Sequence, residues 1–146
     1  MSKIAVIRLK GRFSVPQEVD STLDSLKLNR LYSCTLIPDS PTTKGMLKVC
    51  KDCVSFGGVD EATVELLLQK RGRTKEGKRL SKEKKPDAIK KIAQEVLSGK
   101  KLSELGIMPV FFLSPPKGGF GKRKAQVPFG PIGKNSKIAE LILRMA

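Results

Sequence analysis

Between Lys70 and Lys85 the chain sets nine lysines and arginines in sixteen positions, interrupted by Gly72 and Gly77 and closed by Pro86. Like charges at that spacing repel one another, and no apolar core accepts them without counter-charge. The segment therefore separates stretches with different physical tasks. Residues 1–68 carry 9 basic and 8 acidic side chains, net +1, whereas residues 69–146 carry 20 basic and 6 acidic, net +14. The first stretch has the balance of an ordinary folded module. The second has the electrostatic footprint of a protein that meets a polyanion.

A length of 146 residues suits one domain, or one domain with a sizeable extension. One Tyr, six Phe and no Trp are too few rings for a protein whose main task is stacking unpaired bases on an aromatic platform. No apolar run approaches the roughly 20 residues that span a bilayer, and the N-terminus lacks the apolar core of a secretion signal. A soluble cytoplasmic protein without membrane contact is the expectation. Cys50 and Cys53 have the CxxC spacing, but Cys34 is the only further cysteine and histidine is absent. Four Cys or His ligands for structural zinc are thus lacking, and reduced, part-buried thiols are expected, with no metal and no cofactor. The acids are scattered among basic neighbours, with no pair in a catalytic setting. An enzyme is not expected.

Ile4–Leu9 is short, apolar and β-branched, which predicts a strand. Ser14, with Gln17 three residues on and Pro16 in the first turn, predicts a capped helix start, and Val15, Val19, Leu23 and Leu26 then share one helical face. A strand over 31–37, a loop entering a short helix within 42–50, a strand at 54–56 and a helix capped by Asp60 and running through Leu68 complete the order β-α-β-α-β-α. Beyond it, residues 70–85 predict an irregular arm. Ala88, Ile89, Ile92, Ala93, Val96 and Leu97 predict a helix over 87–98, and 108–113 a strand. Residues 117–137 form a second basic arm with six cations, five glycines and no acid. Ile138, Leu141, Ile142 and Met145 predict a closing amphipathic helix.

Three short motifs fail in context. Gly118–Gly121 fits the GxxG pattern of a KH loop but follows a strand and a Pro-Pro pair. The same residues resemble the core of an RNA-recognition motif, yet Lys122-Arg123-Lys124 stands where an aromatic strand belongs. Gly133-Lys134 resembles the end of a phosphate-binding loop, but Pro128 and Asn135 occupy required Gly and Ser/Thr positions. The two basic arms carry the signal: small residues let a backbone approach phosphates, and each cation releases condensed counterions. Charge alone nominates Lys78, Arg79 and Lys122.

The order and spacing of several pieces resemble a known family. Val6-Ile-Arg8 with Gly11, then Thr22-Leu23, Leu26, Leu28 and Arg30, then Cys34–Pro38, Thr42 and Lys44–Val49 are similar to the universal large-subunit ribosomal protein family L-thirty. Lys70–Arg73, Ser114–Phe120 and Ile138–Met145 resemble its long form, L-seven in eukaryotes, and the length resembles the archaeal version. The resemblance implies an α+β fold: a ferredoxin-like βαβαβ core with an antiparallel sheet over residues 1–69, in two layers. A basic RNA-binding extension with extra helices and a strand, residues 70–146, would pack on it. It implies a structural place in the large ribosomal subunit, on large-subunit ribosomal RNA, close to 5S ribosomal RNA and neighbouring ribosomal proteins. Carried over by position, Arg8, Arg30, Thr42 and Lys44 become candidate RNA contacts, joined by Arg71, Arg73, Lys117, Arg123 and Lys124 from the long-form motifs. Arg8, inside a strand, has the rival role of covering the sheet with its stem. A ribosome-assembly factor of the same family and a nucleoid-type DNA-binding protein are the alternatives.

Overall fold

A computed structural model describes residues 2–120 and 130–146. Strands β1 (Lys3–Arg8), β2 (Ser33–Pro38), β3 (Val54–Gly58), β4 (Val110–Phe112) and β5 (Gly133–Lys134) form one sheet in the order β4-β2-β1-β3-β5. β1 is central and antiparallel to both neighbours, with Ile7 opposite Cys34 and Ser55. β4 adds an antiparallel edge, while β5 runs parallel to β3 for two residues. The mixed α+β content and this sheet agree with the ferredoxin-like expectation.

Every residue of β1 is buried, so both faces of the sheet are covered and the expected two layers become three. Alternation explains how. Ile4 and Val6 face a small core with Leu23 of α1 (Gln17–Ser25) and Leu47 of α2 (Pro41–Val49). Ala5, Ile7 and Leu9 face a larger one against α3 (Glu61–Arg71), α5 (Pro86–Leu97) and α6 (Ile138–Met145). The second layer comes mostly from the basic half of the chain, and α3 itself crosses the expected boundary at residues 69 and 70. Leu23 is fully buried at the centre of the small core. Leu23→Ala is expected to destabilise the free protein by about 2–5 kcal/mol, as read from urea denaturation. A change of a few tenths would remove it from the core.

Local chemistry accounts for the shifted boundaries. Ser14 does not cap α1: it has φ +61°, and the N-cap position falls to Pro16, without a side-chain hydrogen bond. A residue preceding proline is pushed to extended backbone, which keeps Val15 out of the helix. Likewise β2 begins at Ser33 because Tyr32 has φ +61°. α2 has a full capping box: the Thr43 amide donates to Ser40 Oγ (3.2 Å) and the Ser40 amide to Thr43 Oγ1 (3.1 Å). The short β5 had no sequence signal. It exists because Gly57 lets the chain come close: a Cβ there would stand 2.2 Å from the Asn135 carbonyl oxygen, whose residue's amide donates to Phe56 O (2.7 Å).

Candidate nucleic-acid interface

Strand polarity decides which cations meet. β1 leaves the sheet at Arg8 toward Lys10 and Arg12, and β2 is entered from Arg30, so these residues share one end of the sheet. The Tyr32 amide donates to Arg8 O (2.9 Å), tying the two crossings together. On the outer edge, β4 brings Phe112 opposite Ser33. The Arg30 guanidinium lies over the Phe112 ring, 5.5 Å from its centroid, in cation–π geometry. Lys70, Arg71, Arg73 and Arg79 line a cleft with the same ring. One end of the sheet therefore carries five cations around one aromatic side chain.

The first basic arm is held in place rather than irregular. Arg73 and Arg79 pair across an antiparallel bridge. The Thr74 amide donates to Lys78 O (2.9 Å) and the Gly77 amide to Thr74 O (2.8 Å), closing a tight turn in which Gly77 has φ +85°. Outside the turn, the Leu80 amide bonds Gly72 O (2.9 Å), the Met108 amide bonds Arg73 O (2.9 Å) and the Leu80 side chain is fully buried. Leu80 opens the short α4 (Leu80–Glu83). The sequence reading missed this hairpin because a single leucine anchors it, and one leucine has no period. The bridge sets two exposed arginines directly opposite each other along the backbone, a like-charge pairing that is unfavourable by itself.

The other nominated residues divide sharply. Arg8 is a correction: it is fully buried, donating from Nε to Lys10 O (2.8 Å) and from Nη1 to Leu28 O (2.7 Å), with Asp20 at 3.6 Å. It staples the β1 exit to the β2 approach and cannot reach a nucleic acid. Arg71 is half-buried and its guanidinium donates to Ser114 Oγ, which ties α3 to the chain beyond β4. Thr42 and Lys44 are exposed on the first turns of α2, at the opposite end of the sheet from Arg30; Lys44 pairs with Asp39 at 2.8 Å. Lys78 is exposed and pairs with Glu76 (3.1 Å) and Glu83 (3.8 Å), contacts worth little in water. Lys117 is exposed in a turn that Arg144 wraps, donating from Nε to Lys117 O (2.9 Å) and from Nη2 to Gly119 O. Phe120 then stacks on Tyr32 with centroids 6.0 Å apart. Lys122, Arg123 and Lys124 lie outside the described residues.

Residues that sequence reasoning passed over include Lys10, Arg12 and Phe112. Their signal was weak: two cations beside Gly11, and an aromatic residue in an otherwise apolar strand. The cysteines are free and buried. Burial pushes the Cys34 thiol up to about 12. Burial also raises Cys50 to about 11, opposed by its backbone hydrogen bond and reinforced by Cys53. Thiols so poorly ionised are weak nucleophiles. Among the described residues no cluster of three metal-ligating side chains occurs, and no helix is long and apolar enough to cross a membrane.

Comparison with known proteins agrees with this architecture. Residues 4–54 match the family model described as Ribosomal protein L30p/L7e. A Nanoarchaeum equitans protein named Large ribosomal subunit protein uL30 is 36% identical over 153 residues, covering 99% of each chain. Proteins of the same name from Staphylothermus marinus and Archaeoglobus fulgidus are 40% and 37% identical, covering 97% of this chain and 96% and 98% of their own. The relatives extend the likeness through both basic stretches, well past the 51 residues of the family model. From end to end, then, this chain belongs to the ribosomal protein L30p/L7e family, a family of structural proteins and not of enzymes.

Proposed function

We propose that this protein is a structural constituent of the large ribosomal subunit, held on ribosomal RNA mainly through phosphate contacts and working in the cytoplasm within the ribosome. The observation that carries the reading is the cationic end of the sheet. Arg30, Lys70, Arg71, Arg73 and Arg79 lie around Phe112, with Arg73 and Arg79 paired across a backbone bridge. Such a pair is unfavourable alone and becomes favourable when a phosphate enters between them, since guanidinium groups bind phosphate oxygens in a planar fork. The relatives' names support the ribosomal setting. The division at residue 69 enters the proposal as one of charge, the second part supplying a helical layer and most of the cations. Lys117 and the cations of the second basic arm, Lys122, Arg123 and Lys124, are proposed as further phosphate contacts on charge, while Thr42, Lys44 and Lys78 are secondary contacts. Closeness to 5S ribosomal RNA and to neighbouring ribosomal proteins follows from the family resemblance.

Equilibrium binding to large-subunit ribosomal RNA across a salt series tests the reading. Five neutralised phosphates predict a slope of log affinity against log salt of roughly −3.5 to −4.5. Affinity should then fall by about two orders of magnitude between 50 and 200 mM salt. A near-flat dependence rejects phosphate recognition. Preference for duplex DNA over ribosomal RNA at physiological salt would favour a nucleoid role, and absence from mature large subunits would favour an assembly factor.

A further inference from the structure

Phe13 is 96% exposed, although Leu9, four residues earlier, is buried in the larger core. Beside it lies a groove of about 570 Å³ whose apolar lining includes Val15, Pro16, Val19, Val49 and Cys53. Val49 is itself 42% exposed. We infer that this groove seats one unstacked nucleobase of the bound RNA, with the Phe13 ring as its stacking face. The inference rests on the RNA reading above and adds to it a site that reads a base rather than a phosphate.

Charge selects the occupant. Lys10 lines the groove, Arg12 adjoins Phe13, and exposed Lys48 and Lys51 flank Val49 and Asp52. Asp52, the carboxylate in the lining, already has a partner within the protein. An apolar protein segment laid here would cover these cations without neutralising them, which is costly. A nucleotide brings the phosphate together with the flat ring, and base–aromatic stacking tolerates any base identity. The loop is also held before binding. The Leu9 and Lys10 amides both donate to Cys53 O (2.9 and 3.3 Å), and Arg12 lies 3.4 Å from Asp24. The entry to the Phe13 loop is thereby anchored, which lowers the freedom lost when the ring stacks. Leu9 and Lys10, which line the groove, follow the β1 exit at Arg8, the same sheet end that β2 enters from Arg30.

Photoreactive benzoylphenylalanine placed at position 13 of the full chain, assembled into large subunits and irradiated, tests the site. Cross-linking to one nucleotide, or to two adjacent ones, is the expected result. Cross-linking to a neighbouring protein, or none from subunits that contain the chain, overturns it. Binding to large-subunit ribosomal RNA gives the second measurement. Phe13→Ala should weaken it about tenfold, Phe13→Trp should preserve it, and neither should move the thermal midpoint, since the ring is outside the core. Equal weakening by Ala and Trp also overturns the stacking role. Wild-type chain that binds no ribosomal RNA would instead defeat the functional reading itself.

Discussion

Arg8→Ala is expected to lower the stability of the free protein by about 3–5 kcal/mol while leaving RNA affinity, measured where the variant is folded, within about twofold. The guanidinium is fully buried and satisfies the carbonyls of Lys10 and Leu28, with Asp20 as counter-ion. Truncation leaves both carbonyls and one carboxylate oxygen without that partner and opens a cavity beside Leu28. Asp20 keeps contact with water, its side chain being 35% exposed, so the loss falls mainly on the buried carbonyls and the packing. Urea denaturation gives the stability, and a filter-binding titration gives the affinity. A stable variant with weakened RNA binding would return Arg8 to the interface.

The opposite signature is expected at the hairpin. Replacing Arg73 and Arg79 together by glutamine should cut affinity for large-subunit ribosomal RNA by roughly 10–100-fold at physiological salt and reduce the salt slope by about 2. Stability should hold or rise by a few tenths of a kcal/mol, because two exposed like charges opposite each other are removed. The hairpin itself depends on backbone bonds and on buried Leu80, neither of which the substitutions touch. A lost thermal transition in this variant would mean that the arginines hold the fold. Unchanged affinity and salt slope would move the RNA contact elsewhere.

These variants mark where sequence reasoning succeeded and where it stopped. The βαβαβα order and the inward residues of α5 and α6 were legible because periodicity is a local property of the chain, and the family because its motifs stand in order along it. Arg8 and Arg73 are the instructive contrast. Both are arginines in family-like motifs, yet one is a buried staple and the other an exposed cation. The difference is made by Leu28, Asp20 and Lys10 around Arg8, which meet only when β1 and β2 pair. Thr42 and Arg30 were nominated on equal terms, and strand direction sent them to opposite ends of the sheet.

Composition and periodicity by themselves determined that this chain has a charge-balanced α+β half and a strongly cationic half, and its motifs resembled a ribosomal protein family. Only the tertiary structure decided that the cationic half also furnishes the second helical layer. That layer forms because Ala5, Ile7 and Leu9 need apolar cover on the face opposite α1 and α2. Only the folded chain could choose which cations stand together, since that depends on strand polarity and on one leucine, Leu80, drawing an arginine-rich turn onto the sheet edge.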